Sequence, residues 1–470
     1  MEPDSRAFER NALKALSDKE LQDALENAVG RIEARRAAAV ASFDGFEAAR
    51  ERASGLRRET LSRLGDHLAR FIEEAEKRGA VVHVARDAAQ ARGIVARVAR
   101  EEGVALAVRS KSTAAEEISL DDALREAGVE EVETDLGGYV ARLAGEPPSH
   151  ILSSAFHMTR EAVSRVFEGK LGEPPAADAA TLSAIARKRL EESFSRAGMG
   201  VSGANFLVAE TGSVVLLSND GNARAGALLP RVHLVVAGIE KVVPRMADLP
   251  VFLRLLSRSA SGQPLPSYVS ILTGPRRDGD AEGPQRLHVL LIDCGRSAIL
   301  EGKYRDALKC IRCGACLSAC PVYGCVGGRP YGWVYPGPIG AVLTPLLAGL
   351  SEAAALPDAS TLCGACSDAC PVKVPLSAFL LELRSDTRFQ GLKAPAEIAW
   401  AKGYASVMKR AGVLEALERI LGELSRLVSK GHPLSGMPYP FAGWTERRDF
   451  PSVARRPFRK LWKIRRGARE

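Results

Sequence analysis

Hydrophobic and polar residues follow different patterns in successive parts of the 470-residue chain. In residues 1–75, apolar side chains recur three and four positions apart, as at Leu61, Leu64 and Leu68, which predicts a helical N-terminal region. In residues 76–294, short apolar runs alternate with amphipathic segments. This alternation of strand and helix patterns predicts an α/β domain whose sheet is largely parallel and covered on both faces.

The α/β prediction is specific enough to assign individual elements. The predicted strands are Val81–Val84, Val104–Val108, Val129–Thr134, His150–Ser154, Asn205–Ala209, Ser213–Leu217, His233–Ala237, Tyr268–Leu272 and His288–Ile292. The predicted helices are Asp87–Glu102, Ala114–Ala127, Thr159–Gly169 and Ala177–Ala197. Gly198, Gly200 and Gly203 match the letters of a dinucleotide-binding fingerprint, but they follow a predicted helix and precede a predicted strand. That order is the reverse of the fingerprint's context, so the segment is interpreted as a turn.

The remaining third of the chain changes character again. Residues 299–390 place apolar-periodic segments around two cysteine motifs and predict an α-helical domain. Residues 391–440 predict further C-terminal helices. Pro330–Ser351 is uncharged but holds four prolines, so it predicts a folded connection and no transmembrane helix.

Composition places the chain among ordinary globular proteins, with 46% hydrophobic and 26% charged residues. The opening MEPDSRAFER has acidic residues and no apolar segment, which excludes a signal peptide at this position. Abundant cysteines without a secretory signal favour a reducing compartment, so a cytoplasmic location is expected.

The net charge of +8 is concentrated in the basic tail, residues 441–470, which has ten Lys/Arg against three Asp/Glu. Aromatic residues, among them Trp444 and Trp462, are interleaved with these cations. The tail is interpreted as a solvated terminus, a docking segment for an acidic partner or a peripheral contact with an anionic membrane surface. No nucleic-acid-binding motif accompanies it, so no nucleic-acid partner is expected.

Seven of the nine cysteines form two motifs, the first with the spacing Cys-x2-Cys-x2-Cys-x3-Cys-Pro and the second with Cys-x2-Cys-x3-Cys-Pro. Their residues are Cys310, Cys313, Cys316 and Cys320, then Cys363, Cys366 and Cys370. The first spacing is typical of two-cluster ferredoxins, in which the cysteine before proline binds the other cluster. Structural zinc needs two paired motifs and no such triple, and a disulfide framework is unexpected in this context.

The crossover rule assigns the cysteines to two iron–sulfur clusters, most simply [4Fe-4S]. The first cluster takes Cys310, Cys313, Cys316 and Cys370, and the second takes Cys320, Cys363 and Cys366. The second set is one ligand short. Cys325, Cys294 or a non-cysteine group could complete it, or the second cluster could be [3Fe-4S].

Two segments of the α/β domain are candidates for binding an anion. Glu210, Asn222 and Arg224 belong to a polar, glycine-rich stretch that predicts either a β-hairpin or a pocket for a carboxylate or phosphate. Arg109–Thr113 precedes a predicted helix and is the second candidate, with a simple helix cap as the alternative.

Several stretches of the sequence resemble the lactate utilization protein B family. They include ALKCIRCGACLSACPVYG, TLCGACSDACPVKVPL, VRSKSTAAEEISL and GANFLVAETGSVVLLSNDGNAR, and the match runs from about residue 60 to 390 in the same order. Two stretches depart from the family pattern. Val322–Cys325 replaces residues that are usually basic, and Ala225–Ala227 replaces residues that tend to be threonine.

The resemblance implies an iron–sulfur electron-transfer protein that takes part in L-lactate oxidation to pyruvate with other lactate-utilization subunits. Its electrons would pass between redox donor and acceptor proteins or a quinone-linked chain. The resemblance also implies that the α/β lactate-utilization domain is similar to CoA-transferases and sugar-phosphate isomerases. Two alternatives remain open: a transferase-type enzyme that uses Glu210 as nucleophile with structural or regulatory clusters, and an iron–sulfur sensor.

Overall fold

A computed structural model describes residues 4–145, 155, 158–429, 432–437, 445, 448–451, 454 and 456–467. The chain divides into two compact units, Met1–Gln390 and Gly391–Glu470. The predicted strand His150–Ser154 lies outside the described residues. Within the described part of the chain, no helix is both long enough and apolar enough to cross a membrane.

Four helices occupy the N-terminal region: α1 Phe8–Ser17, α2 Lys19–Ala41, α3 Phe46–Ser62 and α4 Leu64–Lys77. Asp18 caps α2, because its side chain accepts a hydrogen bond from the Leu21 amide. The left-handed Gly45 (φ 80°) precedes α3 and allows the chain to turn there.

The centre of the α/β domain is a six-stranded sheet in which every pairing is parallel. The strands in chain order are β1 Val81–Ala85, β2 Leu106–Arg109, β3 Glu130–Glu133, β4 Met199–Ser202, β7 Val232–Gly238 and β10 Arg286–Ile292. Their order across the sheet is β1-β10-β7-β4-β2-β3. The α/β prediction is therefore confirmed. The strand order reverses direction between β2 and β4, which is the switch point of the sheet.

Helices follow most of these strands and cover the sheet. Those of the α/β domain are α5 Ala88–Glu101, α6 Thr113–Glu117, α7 Leu120–Glu126, α8 Leu136–Leu143, α9 Arg160–Leu171, α10 Ala179–Arg196, α11 Asn222–Leu228 and α12 Leu249–Ala260. One predicted helix over Ala114–Ala127 is observed as α6 and α7, because Ser119 adopts a left-handed conformation (φ 53°) between them.

A second sheet of four strands has the order β8-β5-β6-β9. It comprises β5 Phe206–Val208, β6 Ser213–Ser218, β8 Val242–Val243 and β9 Tyr268–Leu272. Strands β5 and β6 form an antiparallel hairpin, so the turn that contains Glu210 joins them.

The interpretation of Gly198–Gly203 as a turn was wrong, because Met199–Ser202 is the buried strand β4. Glycine is required there by close packing: a Cβ at Gly200 would collide with the carbonyl oxygen of Gly226 in α11. The segment has little β propensity of its own, and its position between two other strands determines its conformation.

The cysteine region is helical, with α13 Arg296–Glu301, α14 Ala315–Ser318, α15 Pro321–Val326, α16 Gly337–Ala348, α17 Ala365–Ala369 and α18 Leu376–Phe389. It shares one hydrophobic core with the N-terminal helices and the second sheet. That core includes Phe71 of α4, Leu207 of β5, Leu317 of α14 and Leu380 of α18. The cysteine loops are therefore fixed by packing against elements that lie far away in sequence.

The second compact unit contains α19 Pro395–Met408, α20 Ala411–Ser429 and α21 Phe458–Gly467. Lys463 of α21 pairs with Glu415 of α20 at 3.0 Å. Helix α21 exposes Phe458 and Trp462 beside its cations.

A buried network of charges connects the α/β domain to the cysteine region. The Arg296 guanidinium donates to both carboxylate oxygens of Glu117 at 2.8 Å and to Oε2 of Glu240 at 2.7 Å. The Tyr335 hydroxyl donates to Oε2 of Glu117 at 2.5 Å. The charges of Arg296 and Arg312 outweigh the effect of burial and lower the pKa of Glu240 to about 2. Both carboxylates are therefore compensated.

We expect Arg296→Ala to lower the free energy of unfolding by about 3–5 kcal/mol, because it leaves two buried carboxylates without their partner. Urea denaturation of the purified protein measures this loss. The control Arg6→Ala removes an exposed pair with Glu352 and is expected to change little. Equal, small effects of the two substitutions would contradict the structural role given to Arg296.

Candidate iron–sulfur centre

The two cysteine loops have the same local geometry, and each residue of the first has its counterpart 50 positions later. In both loops, a residue with left-handed backbone conformation comes directly before one of the cysteines: Arg312 (φ 60°) before Cys313 and Leu362 (φ 55°) before Cys363. A left-handed glycine follows it, Gly314 in the first loop and Gly364 in the second. These conformations are costly for Arg and Leu, so their presence in both loops indicates that the folded loops require them.

The first loop and the end of the second bring four sulfurs together. Cys313, Cys316 and Cys370 are buried, and Cys310 is half-buried. Burial raises the pKa of Cys316 well above its usual value, and the charges of Cys310, Cys313 and Cys370 raise it further. Cys370 belongs to the second motif, yet its charge acts on Cys316 of the first loop, as expected for crossed ligation.

Cys320, Cys363 and Cys366 form the second group. Burial raises the pKa of Cys366 to about 11, and the charges of Cys320 and Cys363 add to the effect. Cys363 is exposed, and hydrogen bonds from the Ala365 amide and the Thr361 side chain lower its pKa. The two groups are neighbours, since the short helices α14 and α17 that follow the two loops contact each other.

Backbone amides point at several of the sulfurs. The Arg312 amide donates to Cys310 Sγ at 3.4 Å, the Tyr323 amide to Cys320 Sγ at 3.5 Å and the Val374 amide to Cys370 Sγ at 3.3 Å. Such bonds stabilise negative charge on sulfur and therefore favour the thiolate form that iron requires.

The donor sets fit iron–sulfur clusters better than single metal ions. Each set is dominated by cysteine sulfur. Most of these thiols are buried and have raised pKa values, so a cationic centre is needed to hold them as thiolates. A tetrahedral zinc ion needs its donors within about 2.3 Å of the metal. Among the described residues, no three Cys, His, Asp or Glu side chains converge closely enough to hold one metal ion.

The repeat points to a candidate for the eighth ligand. The counterpart of Cys310 in the second loop is Ser360. Its hydroxyl accepts a hydrogen bond from the Leu362 amide at 3.1 Å, as Cys310 Sγ does from the Arg312 amide. Serine therefore occupies the ligand position of the first loop in the same local conformation.

The two cysteines outside the motifs differ in their surroundings. Cys325, on α15, is exposed. Burial raises the pKa of Cys320, and the charge of Cys325 adds to this effect. Cys294 has different neighbours: burial raises its pKa to about 12, with the charge of Glu117 as the next contributor. Of these two, only Cys325 is close to the second group.

The candidate anion-binding residues are not all in one place. Asn222 lines a cavity of about 310 Å³ in the α/β domain, together with Ser110–Thr113 of the second candidate segment. Glu210 does not contribute to this cavity, and its carboxylate accepts a hydrogen bond from the Met246 amide at 2.9 Å. Arg224 is exposed and pairs with Glu282 at 3.6 Å. Neither Glu210 nor Arg224 lines the cavity.

Two cations that line this cavity were missed by sequence reasoning, Lys241 and Arg312. Lys241 follows an apolar strand, and Arg312 lies between two ligand cysteines. No local pattern connects these positions, because the chain brings them together only through the tertiary fold.

Both the α/β domain and the cysteine region match families of known proteins. Residues 68–292 match the LUD domain, and residues 306–374 match the 4Fe-4S dicluster domain. The chain is 39% identical over 459 residues to lactate utilization protein B of Shouchella clausii, covering 97% of each chain. It is 39% identical over 464 residues to lactate utilization protein B of Bacillus pumilus, covering 98% of each. An uncharacterized electron transport protein of Escherichia coli K12 is 36% identical over 463 residues, covering 97% of this chain and 96% of that one.

We expect Ser360, and not Cys325, to complete the second group. Ser360→Ala should then convert the second cluster to a three-iron form, seen as the electron paramagnetic resonance (EPR) signal of an oxidised [3Fe-4S] centre. Ser360→Cys should retain four irons, because it restores the thiolate of the first loop.

The matched control is Cys325→Ser, which should leave the iron content and the spectrum unchanged. A three-iron signal in Cys325→Ser, with an unaltered Ser360→Ala protein, would assign the ligand to Cys325 instead.

Proposed function

Since the chain belongs to the lactate utilization protein B family, we propose that it is an electron-transfer subunit for the oxidation of L-lactate to pyruvate. The proposal includes two iron–sulfur clusters, both of the [4Fe-4S] type. The observation that supports it is the pairing of charge effects across the two motifs: Cys370 acts on Cys316 of the first loop, and Cys320 acts on Cys366 of the second. Bound clusters of this kind supply reversible one-electron transfer.

The stoichiometry of the reaction fits two one-electron centres. Oxidation of lactate to pyruvate releases two electrons and two protons, so two neighbouring clusters can accept the electrons one at a time. The chain's own residues hold the clusters through thiolates, donate amide hydrogen bonds to sulfur and keep the first group away from water.

The removal of hydrogen from lactate is assigned to partner subunits. The glycine pattern that could have suggested a nicotinamide site is the buried strand β4 and does not precede a helix. We therefore propose that this chain receives electrons from other lactate-utilization subunits and passes them to a redox protein or a quinone-linked chain.

The geometry favours electron transfer over the transferase alternative. A catalytic Glu210 would need to reach a bound substrate, whereas its carboxylate is bonded to the Met246 amide and does not line the cavity. The sensor alternative has no comparable support from the described residues. The cations and exposed aromatic residues of α21 are consistent with a peripheral contact with an anionic membrane surface.

Reconstitution of the anaerobically purified chain with its partner subunits tests the proposal. L-lactate should reduce the clusters in the complete mixture, and omission of this chain should prevent reduction of an artificial electron acceptor. Glu210→Gln should leave both activities close to wild type. A complex that remains fully active with a cluster-free chain, or an inactive Glu210→Gln protein with intact clusters, would refute the electron-transfer role.

A single substitution tests the crossed ligation. We expect Cys320→Ser to disturb the cluster held by Cys363 and Cys366 more than the cluster held by Cys310, Cys313 and Cys316, although Cys320 is closer to the latter in sequence. EPR of the reduced protein resolves the two signals. A loss confined to the cluster held by Cys310, Cys313 and Cys316 would contradict the assignment.

A further inference from the structure

The cavity of about 310 Å³ lies where an α/β sheet offers a ligand site. Its lining includes Ser110 directly after β2, Ser202 at the end of β4 and Gly238 at the end of β7. These three strands are parallel, so their carboxyl ends meet at one edge of the sheet. Strands β2 and β4 also flank the switch point, the usual place for ligands in open α/β sheets.

The volume suits an organic molecule, since it falls at the lower end of the range for small-molecule sites. The lining is polar and carries charges of both signs. It contains Lys111, Lys241 and Arg312 as cations, and Asp135 and Asp220 as carboxylates. Hydroxyl and amide groups also line it, among them those of Ser112, Ser202, Asn205 and Asn222.

Arg312 has an unused hydrogen-bonding group at this cavity. Its side chain is only 8% exposed, yet Nη1 has no hydrogen-bond partner among the described residues. Its Nη2 lies 3.5 Å from Oε1 of Glu240, and the guanidinium stacks on the Tyr335 ring at 4.4 Å. A buried guanidinium nitrogen without a partner is costly, so an acceptor in the cavity would relieve the cost.

Lys241 provides a further positive charge on the same lining. In the described part of the chain, its ammonium makes neither a hydrogen bond nor an ion pair within 4 Å. Burial lowers its pKa to about 8, opposed by the charge of Glu240, so the ammonium remains mostly charged at neutral pH. An oxyanion would compensate both cations through charge-assisted hydrogen bonds.

The same arginine also belongs to the first cysteine loop. Its backbone amide donates to Cys310 Sγ at 3.4 Å, while its side chain lines the cavity. One residue therefore contacts both a cluster ligand and the space available to a small molecule.

We propose that this cavity binds a small organic anion, with its carboxylate or phosphate group between Lys241 and Arg312, and that Arg312 couples occupancy of the cavity to the reduction potential of the first cluster. The binding site stands independently of the electron-transfer role, whereas the coupling rests on it. An anion held beside the cluster disfavours the addition of an electron, so occupancy should make the potential of that cluster more negative.

Calorimetric titration of the cluster-loaded full chain tests the binding site. The probes are L-lactate and pyruvate as carboxylates, glycerol 3-phosphate and inorganic phosphate as phosphates, and L-lactamide as a neutral control. At least one anion should bind saturably and L-lactamide should not, and the better class of anion identifies the group recognised. Absence of saturable binding for all four anions would overturn the site.

Substitutions then locate the bound anion. Arg312→Gln and Lys241→Gln should each weaken binding about tenfold or more, the order expected for losing one charge-assisted hydrogen bond. Lys241→Arg should retain binding. Arg277→Gln, which removes an exposed charge outside the cavity, should bind as wild type. If Arg312→Gln fails to load iron, Lys241→Gln decides, and wild-type affinity in that variant would refute the assignment.

Redox titration with and without the binding anion tests the coupling. The signal to follow is that of the cluster which persists in Cys320→Ser protein. Its potential should move to a more negative value with the anion in wild type, and this shift should be lost in Arg312→Gln. Binding without any shift would overturn the coupling and leave the binding site intact, whereas a chain without clusters would refute both the electron-transfer role and the coupling, and the binding site would still stand.

Discussion

The arrangement of this protein depends on compensating a cluster of buried charges where the α/β domain meets the first cysteine loop. Arg296 and Arg312 both pair with Glu240, and Arg296 also pairs with Glu117. Arg57 and Lys241 add two further cations close enough to influence Cys310. These four cations outnumber the two carboxylates, and the excess suits a centre whose bound thiolates make it negative. The N-terminal helices, the α/β domain and helix α13 thus all contribute charges to the surroundings of the first cysteine loop.

This constraint explains why the two loops are alike in conformation and unequal in environment. Both use a left-handed residue before the cysteine and a left-handed glycine after it. In the first loop this left-handed residue is Arg312, and its side chain reaches the buried ion pairs. In the second loop it is the apolar Leu362. The first group is almost entirely buried, and the second includes the exposed Cys363. Burial and nearby charge set the potentials of such centres, so the repeat can provide two different potentials from one loop design.

Elements and sites that are determined by local sequence patterns could be predicted from the sequence. Strand β7 and helix α5 have strong periodicity and were predicted within two residues of their observed ends. The cysteine motifs indicated iron–sulfur ligation because thiolate spacing is a local property. Strand β4 was missed because its glycines meet a packing requirement of α11, which only the tertiary structure reveals. Lys241 and Arg312 were missed for the same reason. The correspondence of Ser360 with Cys310 was available from the 50-residue spacing of the two motifs, and the repeated left-handed conformations drew attention to it.

The contacts of Arg57 have a consequence for how the protein matures in the cell. This buried side chain of α3 donates hydrogen bonds to the carbonyl oxygens of Glu240, Val242, Leu308 and Lys309. It therefore fastens the segment before Cys310 to the N-terminal helices and to the second sheet at once. A nascent chain therefore cannot form these contacts until the α/β domain and the segment before Cys310 have both been synthesised.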